Sequence, residues 1–120
     1  MIRYELPYPP STNHLFASFG NRRVKSTHYN AWRKQAELAI LEQGRRRLTG
    51  PIALHIALVR PDKRRRDLTN AAFKAVEDVL VEMGVIDDDS LVQRVSAEWV
   101  QSGPACVVLI QEAEDGALAA

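Results

Sequence analysis

The sequence predicts an α+β domain of mixed α/β character, in which one mixed sheet packs against two helices. The chain has 120 residues, which is the length of one ordinary domain. Hydrophobic residues make up 46% of it against 26% charged residues, which is enough apolar surface to order one core. Stretches with strand and helix periods follow one another in the order βαβαββ. We expect residues 1–113 to form the domain and residues 114–120 to form a short, frayed tail of acidic and small residues.

The N-terminal part of the chain predicts an edge strand and then a loop. Residues 2–8 alternate apolar and polar side chains, and prolines at positions 7, 9 and 10 end the pattern. Residues 11–27 show no helical period, so we expect a long loop there, and loops of that length in small domains are usually functional.

The middle of the chain predicts a helix and a buried strand. Apolar residues recur at helical spacing over Thr27–Gln43, with Ser26 or Thr27 as the N-cap and Gly44 as the stop signal. The next stretch, Ile52–Val59, is apolar on both faces apart from His55, which is typical of a central strand covered on both sides.

A second helix is predicted over residues 67–83, and two strands follow it. Its apolar stripe consists of Ala72, Phe73, Val76, Val79, Leu80 and Met83. A polar stripe roughly opposite consists of Asp67, Asn70, Lys74 and Asp78. Residues 91–100 and 105–111 each predict a strand, and we expect them to pair as an antiparallel hairpin.

Several functional classes are excluded by composition. The N-terminus has no apolar signal region and no apolar run is long enough to cross a bilayer, so we expect a soluble, cytoplasmic protein without a membrane partner. The single cysteine, Cys106, excludes an internal disulfide and a cysteine-based zinc site. His14, His28 and His55 have no metal-ligand spacing.

The arrangement of charge is more informative than its total. Sixteen basic and fifteen acidic residues give a net charge of +1, yet the basic residues are clustered. Clusters occur at Arg22, Arg23 and Lys25, at residues 45–47 and at residues 63–66. One such cluster alone is ordinarily a solvated surface. A basic run followed at once by acidic residues suits a phosphodiester substrate with a divalent cation.

The acidic residues predict a metal site. Asp67 and Asp89 are the carboxylates we select, because Mg²⁺ binds oxygen ligands, usually one or two carboxylates together with water. They can meet only if the chain after Gly84 folds back along the helix. Lys74 would then compensate negative charge in phosphodiester hydrolysis. The alternatives are that Asp67 is only an N-cap, that Lys74 is a solvated lysine, and that residues 87–89 form a polar turn.

Two segments of the sequence resemble a known family. The run Arg65-Arg66-Asp67-Leu68-Thr69-Asn70, followed by Lys74, Gly84 and Asp88-Asp89-Ser90-Leu91-Val92, closely resembles the signature of the RusA family of Holliday junction resolvases. The run Leu6-Pro7-Tyr8-Pro9-Pro10-Ser11-Thr12-Asn13 resembles the end of the first strand in that family.

The resemblance implies a homodimeric, Mg²⁺-dependent endonuclease, active also with Mn²⁺ and without a small-molecule cofactor. It would resolve four-way DNA junctions by paired symmetric nicks in recombination and repair. By position, Asp67 and Asp89 would be catalytic metal ligands, Asp88 a further ligand, Lys74 the essential lysine and Asn70 a supporting residue. The expected DNA contacts are Asn13, Arg22, Arg23, Lys25, Lys63, Arg64, Arg65 and Arg66.

Two departures from the family pattern keep alternatives open. Thr69 stands where the family usually has a second Asp, and one extra residue separates Asn70 from Lys74. The chain could therefore be a branched-DNA-binding protein with weak or no cleavage. A third reading is a metal-free structural or interaction domain in which Asp67 is only a helix cap.

Overall fold

A computed structural model gives the architecture of the chain. It describes residues 1–11, 16–19, 22–63, 66, 68 and 73–113. The elements in chain order are the strands β1 (Ile2–Leu6), β2 (Phe16–Phe19) and β3 (Arg22–Lys25), helix α1 (Thr27–Gln43), strand β4 (Ile52–Val59), helix α2 (Phe73–Glu82), a 3₁₀ helix (Asp89–Leu91), and the strands β5 (Val92–Val100) and β6 (Cys106–Glu112).

A mixed four-stranded sheet forms the centre of the domain, in the order β1-β6-β4-β5. Strand β4 pairs in parallel with β5, and β6 pairs antiparallel with both β4 and β1. The α+β class, the mixed sheet, its two helices and the edge position of β1 are therefore confirmed. Within this sheet and its helices, the predicted order βαβαββ also holds.

The predicted hairpin between the last two strands is wrong, because β4 lies between β5 and β6. As the most apolar strand, β4 takes a central position with partners on both edges. Residues 101–105 connect β5 to β6 across the end of β4, where the Val59 amide donates to the Ala105 carbonyl at 3.1 Å.

The predicted loop over residues 11–27 is also wrong in part, because β2 and β3 pair antiparallel within it. Their register sets Phe19 opposite Arg22, and residues 20 and 21 come between them in the sequence. Those two residues lie outside the described part of the chain. Gly-Asn between two short runs is a recognised hairpin signal, which the search for a helical period missed.

The core lies on one face of the sheet. Ile2, Tyr4 and Leu6 are buried while Arg3 and Glu5 are exposed, as the alternation predicts. The buried side chains of β4, β6, α1 and α2 join the same cluster. The expectation that β4 is covered on both faces is wrong, because the helices pack on one side and leave the other half-exposed.

That half-exposed face of the sheet is visible at His55, Ala57 and Val59, which are only partly buried. His55 Nδ1 lies 2.6 Å from the Ser96 hydroxyl across the β4–β5 pair.

Among the described helices, none is both long enough and apolar enough to cross a bilayer.

Candidate active site

Helix α2 presents chemically useful side chains on the side away from the core. Ala75, Val76, Val79 and Leu80 are fully buried. Lys74 and Asp78 lie one turn apart on the outer side, with Lys74 Nζ 3.3 Å from Asp78 Oδ1. The part of the predicted helix at 67 and 69–72 lies outside the described residues, so the placement of Asp67, Thr69 and Asn70 is not described.

The chain after α2 folds back along the helix. Gly84 has a φ of +71°, a conformation that favours glycine, and its amide donates to the Val81 carbonyl at 3.0 Å. Val85 and Ile86 are then buried in the core. This return brings Asp89 to α2, where its Oδ2 lies 3.3 Å from Lys74 Nζ. The structure thus brings two of the predicted site residues into contact: Lys74 near the start of α2 and Asp89 beyond its end.

Lys74 is both charged and accessible. Hydrogen bonds to Asp78 and then to Asp89 raise the pKa of its amine above the ordinary value. Its side chain is 50% exposed, and that of Asp89 is 40% exposed. The ammonium group therefore persists at neutral pH in a position that a polyanionic substrate can reach.

The three acidic residues at 87–89 have three different environments. Asp87 is paired with Arg47. Asp88 accepts a hydrogen bond from the Ser90 hydroxyl at 2.6 Å, which lowers the pKa of its carboxyl. Asp89 faces Lys74. Of these three residues, all of which the structure describes, only Asp89 contacts the lysine, a distinction that identical residue types in the sequence could not reveal.

Two acidic neighbours of Lys74 and one buried tyrosine were not nominated from the sequence as site residues. Burial, followed by the charge of Asp89, raises the pKa of Glu77. Asp78 accepts a hydrogen bond from the Tyr29 hydroxyl at 3.2 Å. Asp78 belongs to the predicted polar stripe of the helix, whereas Tyr29 has the helical spacing of a core residue, which gives no sign of a contact through its hydroxyl.

The carboxylates of Asp88 and Asp89 supply oxygen ligands of the kind that a hard divalent cation prefers. Within the part of the chain that the structure describes, no group of three or more His, Cys, Asp or Glu side chains could hold a metal ion. The predicted trio includes Asp67, which lies outside that part.

The structure describes some of the residues that are predicted to contact DNA. Lys63 is exposed, and Arg66 pairs with Asp62 at 2.9 Å while its guanidinium lies 5.9 Å from the centre of the Tyr8 ring. Arg22, Arg23 and Lys25 lie on β3. Asn13, Arg64 and Arg65 lie outside the described residues.

The sequence prediction missed one basic side chain near the end of β4. The guanidinium of Arg60 lies 4.7 Å from the centre of the Trp99 ring, a cation–π distance. Arg60 is exposed and Trp99 is half-buried against the core. Trp99 therefore packs against the core and also contacts a cation.

Comparison with protein families identifies a family model that matches most of the chain. The family model described as Endodeoxyribonuclease RusA matches residues 7–111, which include the Lys74–Asp89 pair and every predicted basic cluster. None of the curated proteins compared with the chain matches it.

Proposed function

We propose that the chain, which belongs to the RusA family of endodeoxyribonucleases, resolves four-way DNA junctions by paired, symmetric nicks as a Mg²⁺-dependent homodimer. Family membership supports nuclease activity on branched DNA. The observation that supports this particular site is the contact between Lys74 and Asp89. It joins a charged lysine to a carboxylate from the far end of the signature, within reach of solvent.

The proposed metal ligands are Asp67, Asp88 and Asp89, with Asn70 as a supporting residue. When bound, Mg²⁺ would activate water and offset negative charge at the scissile phosphate, and Mn²⁺ would substitute for it. Asp88 and Asp89 offer exposed or half-exposed carboxylate oxygens for this purpose. The role of Lys74 is to hold a positive charge beside the phosphate, where it stabilises the added negative charge of the transition state.

The proposed DNA surface consists of basic side chains that contact phosphates and so position the junction without reading sequence. Lys63 and Arg66 belong to it, together with Arg60, whose position over Trp99 keeps a cation exposed at the end of β4. Arg22, Arg23 and Lys25 on β3, with Asn13, Arg64 and Arg65, complete the proposed set.

Cleavage of a synthetic four-way junction tests the proposal. With Mg²⁺, we expect the wild type to cut the junction at symmetric positions and to leave a linear duplex of the same sequence intact. Asp89→Asn should abolish cutting, while Asp87→Asn should retain it, because Asp87 is paired with Arg47. Equal loss in both variants, or an uncut junction with both metals, would contradict the proposal.

A second function is favoured by Thr69, which stands where the family usually has an Asp and so removes one carboxylate from the family signature. Under this alternative, the chain binds branched DNA but cuts it weakly. Thr69→Asp should then raise the cleavage rate sharply without a matching change in junction affinity. An unchanged rate would exclude this alternative.

The proposed homodimer would set two active sites against two strands of like polarity, as a two-fold assembly requires. Light scattering after gel filtration measures its mass directly. A single species of about twice 13.5 kDa is expected, and a monomer that cuts only one strand would contradict paired nicking.

A further inference from the structure

We propose that Asp78 and Tyr29 are positioning residues that hold the Lys74 ammonium group beside Asp89 for cleavage. The inference rests on the proposed function, since it assigns Lys74 a part in the reaction. It concerns two residues outside the family signature quoted above, and its basis is a chain of hydrogen bonds that links the two helices to the 3₁₀ helix.

Asp78 uses its two oxygens for two different partners. Oδ1 lies 3.3 Å from Lys74 Nζ, and Oδ2 accepts from the Tyr29 hydroxyl at 3.2 Å. An exposed lysine–aspartate pair one helical turn apart is ordinarily loose, because both side chains are free to rotate. Here the second oxygen is bound to a side chain from another helix, so the carboxylate has one fixed orientation.

Tyr29 is a rigid anchor for that carboxylate. Its side chain is fully buried, and its backbone amide donates to the Ser26 hydroxyl at 3.0 Å in the N-terminal turn of α1. Its ring stacks on Trp32, whose indole nitrogen donates to the Pro7 carbonyl at 3.0 Å. Burial, followed by the charge of Asp78, raises the pKa of Tyr29 to about 12, so the hydroxyl remains a donor at neutral pH.

The anchor matters because Lys74 is long, flexible and 50% exposed. Its other contact is Asp89, which is proposed to bind the metal and would then share its negative charge with a cation. Asp78 is the acceptor that keeps the lysine in place under those conditions. Among the residues that the structure describes, the charged groups around the lysine are Glu77 and Asp78 from α2 and Asp89 from the 3₁₀ helix.

Single-turnover cleavage of a four-way junction separates positioning from a merely structural role. We expect Asp78→Asn to lower the rate roughly 10- to 100-fold, as loss of an outer partner does at other catalytic sites. Junction Kd should be unchanged. Tyr29→Phe should act in the same direction but less, Asp78→Glu should restore part of the rate, and Asp87→Asn should have no effect.

A double-mutant comparison tests whether Asp78 acts through Lys74. If Asp78 acts through Lys74, Asp78→Asn should lower the rate no further once Lys74→Ala is present. An equal loss in both backgrounds would overturn the inference, as would a wild-type rate in Asp78→Asn.

The order of the Lys74 side chain, measured by NMR, gives a readout that does not depend on cleavage activity. In ¹⁵N-labelled protein, we expect the Lys74 ammonium group to be more ordered in the wild type than in Asp78→Asn or Tyr29→Phe. Equal order in all three would overturn the inference even if junctions are cut. A wild type that orders Lys74 but leaves junctions uncut would contradict the proposed function and leave the hydrogen-bonded support for Lys74 in place.

Discussion

The two helices of this domain use their polar side chains in opposite ways. On α1, Trp32 donates to the Pro7 carbonyl, and Gln43 exchanges two hydrogen bonds of 2.7 Å with the backbone of Glu5. On α2, Lys74 instead contacts the carboxylates of Asp78 and Asp89. The first set fixes a helix to a strand, whereas the second set leaves charges at the surface.

This difference implies that the two sets of contacts have different roles, the first in the stability of the fold and the second in the proposed cleavage reaction. A bond between a side chain and the backbone of another element fixes the relative position of both elements. Half-exposed ion pairs contribute little to the free energy of folding, because solvent screens them. Substitutions at the contacts between α1 and the N-terminal strand should therefore lower stability and spare the site, and substitutions in the polar stripe of α2 should do the reverse.

Among substitutions that compare the two helices, the largest expected effect is that of Lys74→Ala. Removing a group that stabilises transition-state charge typically lowers the rate about 10²- to 10³-fold. Junction cleavage measures this loss, and the melting temperature should stay close to that of the wild type because the side chain is half-exposed. A large fall in melting temperature with a normal rate per folded molecule would reverse the roles assigned to the two helices.

A smaller effect is expected for Tyr4→Phe on the α1 side. The Tyr4 hydroxyl donates to the Gly44 carbonyl at 3.0 Å and accepts from the Arg46 amide at 2.8 Å. Losing both bonds should lower the free energy of unfolding by about 1–3 kcal/mol. Urea denaturation measures it, with Arg3→Ala on the exposed side of the same strand as a control that should change little. Unchanged stability in Tyr4→Phe would refute the anchoring role.

The smallest effect, and one of opposite sign, is expected for Glu77→Gln. Burial and Asp89 raise the pKa of Glu77, so the folded protein favours the protonated carboxyl. The ionised carboxylate therefore destabilises the fold, and this cost is absent at low pH and appears as pH rises through the raised pKa. Glu77→Gln should raise the melting temperature slightly at neutral pH and leave it unchanged below about pH 4. A gain only at low pH would contradict this assignment.

The sequence predicted those features that depend on local periodicity. Alternation placed Ile2, Tyr4 and Leu6 in the core, and the helical period set Lys74 and Asp78 on the polar side of α2. Pairing between strands depends on tertiary packing, which is why β4 between β5 and β6 was not foreseen. The pairing of β2 with β3 has a signal in the sequence, the Gly-Asn dipeptide between the two runs, but these runs are too short to show a long period.

At the candidate site, residue types were predictable but their directions were not. Three consecutive aspartates carry the same chemistry in the sequence, and only the fold shows that Asp87 turns to Arg47 while Asp89 turns to Lys74. Tyr29 has the spacing of a core residue, so its hydroxyl contact with Asp78, from a helix 49 positions away, had no local signal.

The most direct test is a crystal structure of the protein soaked with Mn²⁺, with anomalous scattering used to locate the ion. We expect a peak coordinated by both Asp67 and Asp89, with Lys74 beside it. A peak elsewhere, or side chains of Asp67 and Asp89 too far apart to share one ion, would contradict it.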